Sequence, residues 1–193
     1  ISALSNPPVT LSSFTMSDDD EIIRLNSLSG LTGIGAITGT ITDTNGTYLL
    51  ANNTGSGATQ IAMSSDDTIT VNLGTGHTLN ATSVVELEDL IQATGITSIL
   101  GTITLSAAYA KTIGDVTDSN NSLDATFTLS GAATVAQASA IVGNTSGSVN
   151  FHTDGISDAF SAFLSGSSLS DGWTAIKNKD NTVPITISSG FSN

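Results

Sequence analysis

Apolar residues in this chain follow two rhythms. In "VTLSSFT" (9–15), "GAITGTI" (35–41), "ITVNL" (69–73), "ILGTITL" (99–105) and "LDATFTLSG" (123–131) they alternate with Thr, Ser, Asn or Gly. That period of two predicts strands with one buried face. Between these phrases the spacing turns helical. Ile22, Leu25 and Leu28 form one stripe, Val84, Leu87, Leu90 and Ile91 a second, and "AATVAQASAIV" (132–142) reads as an alanine-rich third. Ile156, Phe160, Phe163 and Leu164 also recur at helical spacing and predict a short helix within 152–166.

The ends of these elements carry their own signals. Ser83 with Glu86 gives an S-x-x-E capping box, which opens a helix near Thr82 or Ser83, and Gly95 is placed to cap its far end. The acids of "SDDDEII" sit where the positive end of a helix dipole favours them. Asn45-Gly46 signals a hairpin turn, "GDVTDSNNSLDATF" (114–127) a polar turn joining strands, and Pro184 an edge strand in "TVPITISSGF". Pro7-Pro8 forbids a helix near the start, so residues 1–14 are expected as an extended arm. Ile1, Leu4, Val9 and Leu11 are its candidate assembly residues, placed to lie on a neighbouring subunit and complete its sheet. A frayed terminus is the alternative.

Three segments, at about 9–41, 69–105 and 123–151, share the order strand, helix, hinge, strand. Their hinges read "GLTGIG", "ATGITS" and "GNTSGS", and the segments read as degenerate copies of one unit. The expected fold is mainly β with short α-helices. It takes the form of a β-rich repeat stack or a sandwich-like domain over 15–193, preceded by the arm.

Composition narrows the function. The chain of 193 residues carries 17 acids against four bases, Arg24, Lys111, Lys177 and Lys179, for a net charge of −13. With no basic stripe to neutralise phosphates, nucleic acid is excluded as a partner. A mean hydropathy of +0.20 and periodic Val, Ile and Leu exclude disorder. No apolar run approaches the roughly 18 residues of a membrane span. The absence of cysteine removes disulfides, thiolate catalysis and zinc–thiolate sites together. Few lysines, no cysteine and abundant Thr, Ser, Asn and Gly read as extracellular or cell-surface. A first residue other than Met implies a removed leader or a fragment.

No catalytic constellation stands out, and an enzyme is not expected. His77 and His152 have no partner at metal-binding spacing, and the Gly-containing turns lack a P-loop Lys-Ser/Thr. No cofactor is required. Calcium is the candidate ion, because so many carboxylates lack cationic neighbours and calcium takes several oxygen ligands. Asp18, Asp20 and Asp66 are the candidate ligands. Sequons at Asn45, Asn52, Asn80, Asn120 and Asn144 permit glycosylation. Trp173 is a candidate sugar platform, with Tyr48 and Tyr109 as further aromatics for a concave binding face.

The phrases "TVAQASAIVGNTSGSVNF" and "SVVELEDLIQATGITSILGTITL", with Asp154-Gly155-Ile156-Ser157-Asp158-Ala159-Phe160 after the first, resemble the repeat regions of large secreted bacterial surface proteins. These are surface-layer proteins and type-I-secreted adhesins, especially the cyanobacterial kind. The calcium-binding nonapeptides usual in such families are absent here. The resemblance implies an extracellular structural role in a lattice, filament or fibre. A strand-rich chain with few lysines to guard its sheet edges points the same way, towards copies of itself as partner. The alternative is a carbohydrate-binding or adhesin module of a larger surface protein, with cell-surface glycans as partners.

Overall fold

The computed structural model describes residues 6–17, 20–46, 48–50, 61, 63–116 and 122–190. Strand β1 (Val9–Thr15) leads through helix α1 (Asp20–Ser29) to β2 (Ile37–Thr42). Then come β3 (Thr68–Thr78), α2 (Ala81–Gln92) and β4 (Ile96–Leu105). Helix α3 (Ala107–Gly114) precedes the short strands β5 (Ser122–Leu123) and β6 (Thr126–Leu129), and α4 (Val135–Asn144) crosses to β7 (Val149–Asn150). Beyond lie β8 (Ile156–Ala159), α5 (Phe160–Phe163), β9 (Leu164–Ser165), β10 (Ser168–Leu169), α6 (Asp171–Lys179) and β11 (Ile185–Ser189).

The fold is mixed α/β. Seven strands form one parallel sheet in the order β1-β2-β3-β4-β6-β7, with β5 beside the first half of β4. Two strand pairs stand apart, β9–β10 antiparallel and β8–β11 parallel. The expectation of a mainly β chain gives way here to comparable shares of helix and strand, and among the described residues no second sheet packs face to face as in a sandwich. Alternation along a strand reports that one face is buried; it does not say whether a sheet or a layer of helices covers it. In this chain the cover is helical.

One contiguous core results. Ile37, Ile41, Ile69, Val71, Ile99, Ile103, Leu105 and Phe127 point inward from the strands and are fully buried. Ile22, Leu87, Ile113, Ala138 and Ile141 meet them from the helices in the same cluster. The opposite face of the sheet is threonine. Thr38 pairs with Thr68, Thr40 with Thr70, Thr102 with Thr126 and Thr104 with Thr128, all half-buried or exposed. β-Branched side chains suit both faces, since the pleat gives each a cross-strand neighbour.

Several local signals resolve differently from expectation. Helix α2 starts earlier than the Ser83–Glu86 box predicts. Asn80 is its N-cap, accepting from the N–H groups of Thr82 and Ser83, and the Ser83 hydroxyl accepts from Asn80 N–H in return. Glu86 is thereby freed from capping and turned into the interior. Gly95 lies two residues past the Ala93 cap at φ +78°, where an added Cβ would come within 2.4 Å of Met63 Cβ. Asn45-Gly46 belongs to a single 3-10 turn, Thr44–Gly46, between two parallel strands, so no hairpin forms. The segment after β4 hides α3, and Ile156 belongs to β8, leaving only one helical turn over Phe160–Phe163.

Candidate functional site: the two sheet edges

A parallel sheet built one strand per crossover has two edges, and each presents a row of backbone N–H and C=O groups. One edge is β1. Val9 N–H donates to Ala36 O at 3.0 Å and Gly35 N–H donates to Pro7 O at 2.7 Å. Residues 7 and 9 therefore face β2, and residue 10 faces away from it. Val9 and Leu11 are half-buried and pack on the chain's own core. They thus sit in the sheet of their own chain, not on an arm reaching to a neighbour. Ile1 and Leu4 lie outside the described residues.

Gly39 lets β1 lie close against β2. It lies opposite Leu11 at φ +142°, and a Cβ there would stand 2.5 Å from Leu11 O. Glycine tolerates both the dihedral and the close backbone approach. Strand β1 carries no charged side chain, and among the described residues none pairs with its outer edge.

The far strand of that sheet is the two-residue β7, and a second open edge belongs to the separate pair β8–β11, in which β11 runs parallel to β8 (Ile185↔Ile156, Thr186↔Ser157). Ile156 N–H donates to Pro184 O at 2.9 Å. Residues 184 and 186 thus face β8, while Ile185 and Ile187 face outward. This strand is also uncharged, and Ile185 is 51 % exposed. Leu169 and Phe160, at 45 % and 39 %, add apolar surface elsewhere in this part of the chain.

Several carboxylates serve as local clamps. Asp67, next to the calcium candidate Asp66, is buried and accepts from Ile37 N–H (2.7 Å), Ser29 Oγ (2.6 Å) and Ser64 N–H (2.9 Å). It ties the end of α1 to the start of β2. Asp43, also buried, accepts from Leu49 N–H at 2.6 Å. Asp158 accepts from Val135 N–H at 3.0 Å, and Asp124 accepts from Ser98 Oγ at 2.8 Å. Asp66 itself is exposed in the turn before β3, Asp20 opens α1, and Asp18 lies outside the described residues. Among the described residues no three His, Asp or Glu side chains converge as a cation site. Sequence reading missed Asp67 and Asp43, since buried clamps and exposed turn acids look alike in a string.

Glu86 differs from these clamps. It is buried, its Oε2 has no hydrogen-bond partner among the described residues, and burial followed by the nearby Asp89 charge pushes its carboxyl upward. Trp173 is half-buried on α6 and meets Phe163 edge to face at 5.2 Å. Tyr48 and Tyr109 are likewise half-buried against the core, and Tyr48 Oη donates to Ser17 O at 2.6 Å. The structure does not bring these three aromatics to one exposed face. His77 lies on β3 opposite Ile103, and His152 sits in the loop before β8, where Nδ1 accepts from Asp154 N–H. Asn144 spends its side-chain amide on Ile113 O and Val116 O, and Asn80 spends its carbonyl on the α2 cap. Asn52 and Asn120 lie outside the described residues, and Asn45 is in the 3-10 turn.

No family model, curated protein or solved structure matches this chain. Among the described residues no helix is long and apolar enough to cross a membrane.

Proposed function

We propose that this protein is an extracellular structural protein that assembles with copies of itself into a filament, fibre or surface lattice. The observation that carries this reading is the pair of uncharged edges, β1 and β11, in one molecule. Natural sheets guard exposed edges with lysine, bulges or covering elements; each of these two strands has one register break, but the chain has only three lysines and none lies on either strand. The edges belong to different strands, so contact between them is heterologous, and it extends into a filament where the rotation between copies does not close a ring. The strand–helix–strand segments 9–41, 69–105 and 123–151 are, on this reading, copies of one α/β unit stacked side by side.

The −13 charge favours assembly only where salt or divalent cations screen it, and calcium is the candidate. Negative-stain imaging of the purified chain, with and without calcium, tests the proposal. Regular fibres or sheets are expected, and dispersed monomers under every condition would contradict it. The adhesin-module alternative has less support, because Trp173, Tyr48 and Tyr109 each pack against the core.

A further inference from the structure

The two edge strands are near copies of each other. Pro8-Val9-Thr10-Leu11-Ser12-Ser13 at one end matches Pro184-Ile185-Thr186-Ile187-Ser188-Ser189 at the other, with identical Pro, Thr, Ser and Ser and two apolar exchanges. The likeness extends to shape. Both strands are parallel to their neighbours, and both lose register just after the second apolar residue, between Leu11 and Phe14 and between Ile187 and Ser189.

Their hydrogen bonds are complementary. Strand β1 uses the Val9 edge on β2 and leaves the Thr10 edge bare, whereas β11 uses the Pro184 edge on β8 and leaves the Ile185 edge bare. Aligned by sequence, Ile185 corresponds to Val9. The bare edge of β11 is thus the one that β1 presents to β2. For L-residues, strand direction and side-chain face together fix which way each N–H points. A strand lying like β11 on β8 can therefore pair on its other side with a β2, keeping its isoleucines towards the core. One strand satisfies both neighbours.

We propose that β11 of one molecule occupies, on a second copy of this chain, the place that β1 holds beside β2. This rests on the self-assembly reading and gives it a joint. Ile187 then lies against Gly39 of the receiving copy, where Leu11 lies in the single molecule. Ile185 passes from half-exposed to packed, as Val9 is. The receiving β1 is released, and the joint strand keeps no bare edge. Like replaces like at the slot, so the gain comes from covering Ile185 and pairing the free edge of β11.

The cysteine-free chain allows a direct test. Thr10 pairs with Thr38 across β1 and β2, and Thr186 corresponds to Thr10. Thr186→Cys and Thr38→Cys proteins, each confirmed folded by its melting curve, are mixed and joined with a short thiol cross-linker. A mixed dimer is expected, lost when Ile185→Asp is added to the Thr186→Cys protein. Cross-linking of Thr186→Cys to Thr10→Cys instead would overturn the proposal, showing that β11 adds beside a β1 that stays in place. Fibres on the imaging grid with neither cross-link would overturn this joint while leaving self-assembly standing. Dispersed monomers with no cross-link would overturn both.

Discussion

The two ends of the molecule carry almost the same six-residue phrase and bury it differently. Val9 and Leu11 rest on a core already closed by α1 and β2, whereas Ile185 stands 51 % exposed. The strand pattern is local, but its burial is set by what lies alongside. On the side that the Val9 backbone faces, the chain supplies β2, whereas on the matching side of β11, faced by Ile185, the neighbouring position is open among the described residues. The hydrophobic term scales with area removed from water, so equal phrases contribute unequally to the stability of one molecule.

The largest expected effect sharpens this contrast from the well-covered side. Phe127→Ala, fully buried on β6, should cost about 3–5 kcal/mol in urea denaturation, the range for emptying a large aromatic site. A loss under about 1 kcal/mol would mean that the core between sheet and helices is looser than described. Asp67→Ala comes next. It strands the Ile37 N–H at the start of β2 and should cost about 2–3 kcal/mol, the scale of lost hydrogen bonds to a charged acceptor.

Glu86→Gln should act in the opposite direction at neutral pH. Burial raises the folded-state carboxyl above its usual value. The group therefore contributes stability fully below the unfolded glutamate range and loses it as pH rises through the raised folded value. Melting curves of wild type and variant should coincide near pH 4 and separate by pH 7, with the glutamine form more stable. A variant less stable at pH 7 would show that the carboxylate has a partner worth more than its desolvation.

The smallest effects compare the twin strands themselves. Val9→Ala should cost about 1 kcal/mol, whereas Ile185→Ala should change monomer stability by less than about 0.5 kcal/mol. Equal losses at both sites would break the comparison, because they would place Ile185 in a packed environment within one molecule.

Much of the secondary structure was legible in the residues. Strands at 9–15, 69–73 and 99–105 and helices carrying Leu25, Leu87 and Ile141 lie where the two periods place them. Pairing was not legible. The alternation of Ile with Thr on β2, β3 and β4 fits an antiparallel sandwich as well as a parallel sheet under helices, since neither strand order nor cover is written locally. Helix α3 escaped because its buried stripe is only Ala110 and Ile113, too thin for a periodic signal. Ile156, Phe160 and Phe163 misled because a four-residue strand running into a single helical turn imitates a helical spacing. Of the edges, the Pro-x-Thr-x-Ser-Ser phrases stand in the sequence, but their meaning depends on which side of each strand is bonded.

The central claim, that copies join through the free side of β11, is tested most directly by hydrogen exchange at the Ile185 amide across protein concentration. In the single molecule this N–H faces away from β8 and should exchange quickly. The account predicts that its protection rises with concentration, while Val9 N–H, bonded to Ala36 in the single molecule, loses protection as its strand is displaced. An Ile185 amide that exchanges equally fast at every concentration, including those at which the protein assembles, would contradict it.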